Sequence, residues 1–488
     1  MAAGALLRVA QYLANRSLWL DEAYLTPTIL QRSFRDLLSR PPDYGQVVPA
    51  GFLVLERAAA ALFGSSEYAL RLVPLAAGLA CLPLFWRLAR RVLSERAVPL
   101  AVALFAVCDP LIYFSSELKQ YGLDVLVALL LLDRALAIAE RPSGRSLATL
   151  AAIGALAIWF SYPAIFVLAA IAATLAVAAV FERQWPRLVG LSAAGLLWIA
   201  SFALEDVLWL SRIGRAPLVL EFWARAFWPL PPRSFDDLYW LPRAFGALFG
   251  DPAGFVFRGL GIFCFLVGCF SLGPSRRQTE ALLLSPFAFV LIASGFKRYP
   301  FSGRLLLFLV PSILLLVAAG GEAVREATSS RSVAIFRILV VLLLFHPVLF
   351  AARSLIHPRT REELRPVLQY VQGRRQPGDR IYVYDGAWPA FDYYASRLGL
   401  DRSSVLRGRF AGRFGDPRSD ADALRGGGRA WLLFAHAQRS ESVDDEARLL
   451  GLLDPSGRLD ARHEPGASGY LYAFGSSQPA PSPKEQSQ

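Results

Sequence analysis

The chain has 488 residues, of which 55% are hydrophobic and 18% charged, with a mean hydropathy of +0.40. Soluble domains carry roughly a quarter charged residues, so this composition excludes an ordinary soluble fold. The formal net charge of +12 does not point to nucleic acid, because the excess is mostly Arg at the ends of apolar blocks, where it sets topology and meets lipid headgroups.

The apolar residues come in long blocks, such as 123–138 and 305–319, approaching the roughly 20 residues that cross a hydrocarbon core about 30 Å thick. Hydropathy predicts helices near 2–14, 68–88, 97–113, 123–139, 147–161, 163–181, 188–208, 255–272, 279–296, 305–320 and 333–352, about eleven spans. The stretch 2–14 is broken by Arg8 and Gln11, which makes it a shortened first span and not a cleavable signal peptide. Basic turns at Arg87–Arg91, Arg141–Arg145, Arg183–Arg187, Arg276–Arg277 and Arg325–Arg331 fall on one side, and the positive-inside rule makes that side cytoplasmic. The other side then holds two long loops, 15–67 and 209–254. Within the first, 26–38 and 52–62 have the apolar spacing of helices lying in the interface, although plain surface loops would also fit.

After the last span the composition turns soluble. A polar helix pattern (361–374), a strand pattern at 381–385, a helix from Trp388 and further strands at 431–434 and 470–474 predict a small α/β domain outside the membrane. The expected organisation is a transmembrane domain over 1–352, an extracytoplasmic domain over 353–475 and a disordered Ser, Pro and Gln-rich tail over 476–488. The cysteines Cys81, Cys108, Cys264 and Cys269 are scattered in or near apolar blocks, which suggests neither a disulfide framework nor a zinc site. His346, His357, His436 and His463 form no metal-ligand spacing.

Chemistry concentrates in a few segments. In Ser17-Leu-Trp-Leu-Asp-Glu-Ala-Tyr24, Asp21 and Glu22 follow the first apolar stretch. They are either a helix N-terminus satisfying free N–H groups or acids with a chemical role. The segment 110–122 closes the next hairpin on the same side and adds Glu117, Lys119 and Tyr121. If that segment is helical, Glu117, Tyr121 and Asp124 share one face; otherwise Glu117 and Lys119 are solvated loop charges. Lys297, Arg298 and Arg304 flank Tyr299-Pro-Phe-Ser-Gly303 on the side that insertion rules disfavour for cations. Phosphate binding explains them, as do contacts with lipid headgroups. Arg71, near the outer end of the second long helix, is a further candidate.

Leu18-Trp-Leu-Asp-Glu-Ala23, Ala69-Leu-Arg-Leu-Val-Pro74, Glu117-x-Lys-x-Tyr121 and Tyr299-Pro-Phe-Ser-Gly-Arg304 together resemble the glycosyltransferase family 39 group, over roughly residues 15–320. The resemblance implies an all-α, polytopic GT-C fold and inverting sugar transfer from a polyprenyl-phosphate donor on the extracytoplasmic side of a bacterial inner membrane. Partners would be that donor, a lipid, glycan or protein acceptor, and the membrane. Asp21 matches the catalytic acid of the first loop, with Glu22 and Glu117 orienting the acceptor or the base. Arg71, Lys119, Tyr121, Lys297, Arg298, Tyr299 and Arg304 match substrate-binding positions. No cofactor or metal is required, although some relatives bind a divalent ion.

The chain departs from the family pattern in its short first span, in Tyr44-Gly-Gln-Val-Val-Pro49 where a His-Pro-Pro element is common, and in Lys119 where Arg is usual. A lipid-linked sugar flippase or transporter would also need many spans but would place its charges at mid-membrane; a non-catalytic binder of lipid-linked sugars is a third reading. Asp420-Ala-Asp422 matches an Asp-x-Asp pattern but lies in the soluble segment, away from cytosolic nucleotide sugars.

Overall fold

The structure is a computed structural model that describes all residues except 214–220, 274–275, 328–331, 402–404, 411–414, 426–427, 439–443, 454 and 475–488; the expected tail lies outside the described residues. The chain forms two compact units: residues 1–15 with 28–359, and residues 16–27 with 360–488. The expected first loop, 15–67, is therefore divided, and its opening segment belongs with the C-terminal α/β fold.

The first unit is helical. In chain order its main helices are α1 (Ala2–Leu13), α2 (Ala50–Phe63), α3 (Leu72–Val92), α4 (Val98–Val107), α5 (Asp109–Tyr113), α6 (Tyr121–Glu140), α7 (Gly144–Ala157), α8 (Ala164–Phe181), α9 (Trp185–Glu205), α10 (Phe235–Gly250), α11 (Arg258–Ser271), α12 (Arg277–Gly295), α13 (Val310–Glu326) and α14 (Ser332–Ile356). Each expected span has a helix in its place. Among the described residues six helices are long and apolar enough to cross a membrane, or seven if the pair Val98–Val107 and Asp109–Ser116, bent by 56°, counts as one. Of the rest, α1, α7 and α11 have 12, 14 and 14 residues, and α6 carries Asp124, Asp133, Arg134 and Glu140. The expected interfacial helix 26–38 is two short helices, Thr26–Gln31 and Phe34–Ser39, separated where Ser33 caps the second by accepting the Asp36 N–H at 3.2 Å.

Two buried charges of this unit are held by several partners each. Arg8, which interrupts α1, is buried and donates to the carbonyls of Gly4, Ala106 and Phe105 at 3.0, 3.3 and 3.4 Å. Asp133, buried on α6, gathers Arg87, Arg91 and Arg134 at 3.0, 3.2 and 2.6 Å. The basic turn at Arg87–Arg91 thus also clamps α3 to α6. The four cysteines are free and buried.

In the second unit a five-stranded sheet has the order β2-β1-β3-β5-β4, with β1 Arg380–Val383, β2 Val405–Arg407, β3 Gly428–Ala435, β4 Arg458–Glu464 and β5 Ala467–Phe474. β1 pairs in parallel with β2 and β3, and β5 pairs antiparallel with β3 and β4. The helices α15 (Leu364–Arg374), α16 (Trp388–Ala395), α17 (Pro417–Arg425) and α18 (Asp445–Leu450) complete it. The sequence reading finds the three inner strands because they are apolar runs. It misses the two edge strands: β2 has three residues and β4 is largely exposed and polar, so neither shows an apolar period. The Asp-x-Asp pair lies on α17, where Asp420 accepts the Tyr382 hydroxyl at 2.8 Å and Asp422 pairs with Arg425 at 2.7 Å. Both acids serve the fold.

α11 and α13 approach closely. An added Cβ on Gly268 would stand 1.9 Å from the Leu316 carbonyl oxygen, and one on Gly320 would stand 1.8 Å from that of Cys264. Small residues let two backbones approach this closely. Gly320→Val is expected to force the helices apart and destabilise the protein by about 1–3 kcal/mol. Gly195→Ala, where an added Cβ meets nothing within 4 Å, should be neutral. Thermal unfolding in detergent checks both.

Candidate active site

In the first unit the expected site residues gather around the start of α6. The chain leaves the short turn Phe114–Ser116 and runs extended through Glu117, at φ −109 and ψ 133, before α6 begins at Tyr121. Glu117 therefore lies outside the helix, and the expected shared helical face of Glu117, Tyr121 and Asp124 does not form. Glu117, Lys119 and Tyr121 are nevertheless all buried, at 0%, 4% and 5% exposure, so they are not solvated loop charges. A buried carboxylate and ammonium are costly without partners.

Two other stretches close on this turn. Lys119 donates through Nζ to Gln46 Oε1 at 2.5 Å, and Gln120 Nε2 donates to the Val47 carbonyl at 3.4 Å. The Val48 carbonyl accepts the Tyr162 hydroxyl at 3.1 Å and Trp209 Nε1 at 2.8 Å. The segment that replaces His-Pro-Pro is thus a strap across the site. From the other direction, the Arg304 guanidinium carbon sits 5.6 Å from the centre of the Tyr121 ring, a cation–π distance. Tyr299 packs edge-on against Phe166 with centroids 5.0 Å apart and donates its hydroxyl to the Leu305 carbonyl at 2.8 Å. Burial pushes the Tyr299 phenol well above its ordinary pKa, and Asp124 and Tyr121 add to the shift, so it remains a neutral donor.

The expected basic cluster divides. Arg304 is partly buried against Tyr121, whereas Lys297 and Arg298 are exposed just after α12, with Lys297 at φ 55. Arg71 is buried at 1% where α3 begins and lies beside Tyr12, whose ring meets Tyr68 at 5.3 Å.

Asp21 and Glu22 belong to the second unit, on the short helical turn Leu20–Ala23. They face different surroundings. Glu22 is fully buried, 3.5 Å from buried Arg16, and accepts the Trp19 N–H at 3.4 Å, so it holds the turn. Asp21 is partly exposed. The turn is gripped from the C-terminal fold. Glu363 accepts the Ser17 N–H at 3.2 and 3.1 Å and its hydroxyl at 2.9 Å, Tyr394 accepts the Leu18 N–H at 2.8 Å, and Glu362 accepts the Leu20 N–H at 3.0 Å. Sequence reasoning missed Gln46, Glu362, Glu363, Tyr394 and His436. Glu362 and Glu363 read as the polar face of a helix from Arg361, but α15 starts only at Leu364, which frees both acids for the turn. Among the described residues, no three His, Cys, Asp or Glu side chains are placed to hold a metal ion.

The fold defines the class. The crystal structure of ArnT from Cupriavidus metallidurans in the apo state is similar, with a TM-score of 0.52 and 13% identity over 96% of this chain and 97% of that one. The same protein bound to undecaprenyl phosphate gives 0.52 and 14% over 98% and 99%. At such identity the likeness shows the fold, that of a multi-pass GT-C membrane protein. Residues 48–204 match the family described as dolichyl-phosphate-mannose-protein mannosyltransferase. No curated protein matches this chain in sequence.

Glu363→Ala removes every bond that Glu363 makes to Ser17. At about 1.5–3 kcal/mol for charged hydrogen bonds, amide exchange over Ser17–Leu20 should accelerate roughly ten- to a hundredfold, with the β3 and β5 amides unchanged. Exchange mass spectrometry on the intact protein reads both.

Proposed function

We propose that this protein transfers a sugar from a polyprenyl-phosphate donor to a lipid, glycan or protein acceptor on the extracytoplasmic side of a bacterial inner membrane, with inversion at the sugar carbon. The observation that carries the reading is the enclosed Glu117-Lys119-Tyr121 turn with Arg304 stacked on it, in a chain with the GT-C fold and a family 39-like segment. The roles on the two units follow the order of the motifs along the chain.

In the proposed reaction an acceptor hydroxyl attacks the sugar carbon from the face opposite the phosphate. Asp21 takes the hydroxyl proton as the new carbon–oxygen bond forms, the old bond to the phosphate oxygen breaks, and the polyprenyl phosphate departs with its electron pair. The leaving group needs cations rather than a proton, and Arg304, Arg71, Lys297 and Arg298 supply them. Lys119, Tyr121 and Tyr299 bind substrate, Glu117 orients the acceptor or the base, and Glu22 supports Asp21 through the turn. No metal ion is required by this scheme. The C-terminal α/β fold is extracytoplasmic in this reading, which puts the Asp21 turn on the side where the lipid-linked sugar is presented.

Asp21→Asn should leave the protein folded and inserted while lowering transfer at least about a hundredfold. Glu117→Gln should lose less. The measurement is donor consumption by mass spectrometry, with purified protein in lipid and a panel of polyprenyl-phosphate sugars. Near-native turnover of the Asn variant would remove Asp21 from the chemistry.

Arg304→Ala should lower donor affinity about ten- to a hundredfold, the effect of losing a charge-assisted phosphate contact. Lys should restore only part, because an ammonium lacks the planar fork. Unchanged donor binding in the Ala variant would assign Arg304 to packing on Tyr121.

A further inference from the structure

The grip on the Asp21 turn has a titratable end. Glu362 uses one carboxylate oxygen, Oε2, for the Leu20 N–H at 3.0 Å, next to Asp21, and the other, Oε1, for His436 Nδ1 at 2.6 Å. His436 directly follows β3 and takes φ 52, a left-handed conformation that costs about 1 kcal/mol or more in a non-glycine residue and persists where surroundings hold it. Its ring lies 6.5 Å from that of Trp19, over which Arg361 stands at 4.0 Å. The charged groups around the imidazole are Glu362 and Arg361 before α15 and Asp21 on the turn. On the neighbouring elements, Glu22 is turned to Arg16. Asp385, beside the Gly386 backbone that packs on His436, is paired with Arg407 at 2.9 Å.

We propose that His436 and Glu362 are a positioning pair for the Asp21 turn: a charged imidazolium holds Glu362 on the Leu20 N–H and attracts Asp21, and loss of its proton loosens the turn. This rests on the reading of Asp21 as the base. Burial opposes the charge on His436, but the Glu362 hydrogen bond and charge, followed by Asp21, outweigh it and raise the imidazole above its ordinary pKa. The sign follows. A group whose folded pKa is raised contributes fully below its unfolded value, about 6.5 for His. The contribution fades as pH rises through the higher folded value, so the turn is held in mild acid and loosens as the pH rises through that value. A neutral imidazole can still donate one hydrogen bond, but it loses the charge assistance toward both carboxylates.

The test uses the intact protein in lipid. Exchange protection of the 18–21 amides, corrected for intrinsic rates, is measured from pH 6 to 9 in the native chain and in His436→Gln, His436→Arg and Glu362→Gln. In the native chain protection should fall about tenfold across the titration, the scale of a lost charge-assisted bond. Gln at 436 should give low, pH-independent protection, and Arg should keep protection high into alkali. Glu362→Gln should lower protection and flatten its pH dependence. The β3 and β5 amides should stay protected throughout, separating a loosened turn from an unfolded domain. Turnover of the donor accepted from the panel should lose its alkaline fall in His436→Gln with donor binding unchanged. Native-like protection and pH dependence in His436→Gln would overturn the pair. If instead the pair behaves as described while Asp21→Asn retains turnover, the base assignment fails and the positioning of the turn stands.

Discussion

A charge among apolar helices is unfavourable unless something partners it, and that constraint sorts the charged residues of this chain. Asp133 satisfies it with three arginines and Arg8 with three backbone carbonyls. These are clamps: they let α1, α3 and α6 carry ionic groups among apolar neighbours. Around the start of α6 the same constraint gives a different result. Glu117, Lys119 and Tyr121 are enclosed together, with Gln46 on the ammonium and Arg304 on the phenol ring. Groups of opposite charge from three separate stretches of chain are enclosed together there.

The acid motif follows a second logic. Asp21 and Glu22 are adjacent in sequence, yet one is partly exposed and the other fully buried, so they cannot share a role. Glu22 and Arg16 close the turn from within, while Glu363, Tyr394 and Glu362 hold its backbone N–H groups from without. Satisfying backbone donors with carboxylates fixes a short helical turn that is too short to hold itself. The C-terminal fold therefore has a local function that its sheet alone does not suggest.

Much of this was legible in the sequence where the signal is local. Hydropathy placed the helices because an apolar run long enough for a bilayer is hard to mistake, and the four motifs pointed to the GT-C fold. The division of 15–67 was not legible. Ser17 and Glu363 are separated by most of the chain, and nothing in either segment names the other. Glu362 and Glu363 looked like a solvated helix face because the pattern could not show that α15 starts after them. His436 was set aside for want of metal spacing, a test that does not ask whether a lone histidine faces a carboxylate. The helical face drawn through Glu117 fails for a similar reason, since periodicity cannot show that the helix begins only at Tyr121 and that Glu117 is extended.

The departures from the family pattern connect to one another. Lys119 stands where the family usually has Arg, and Gln46 lies in the segment that replaces His-Pro-Pro; the two side chains meet. An ammonium offers three donors from one point, and the Gln46 carbonyl oxygen accepts from it. A guanidinium in the same place would present a rigid fork in place of a point charge. The two departures thus meet, Lys119 with Gln46 on a strap that Tyr162 and Trp209 anchor through Val48, while Arg304 lies over the Tyr121 ring.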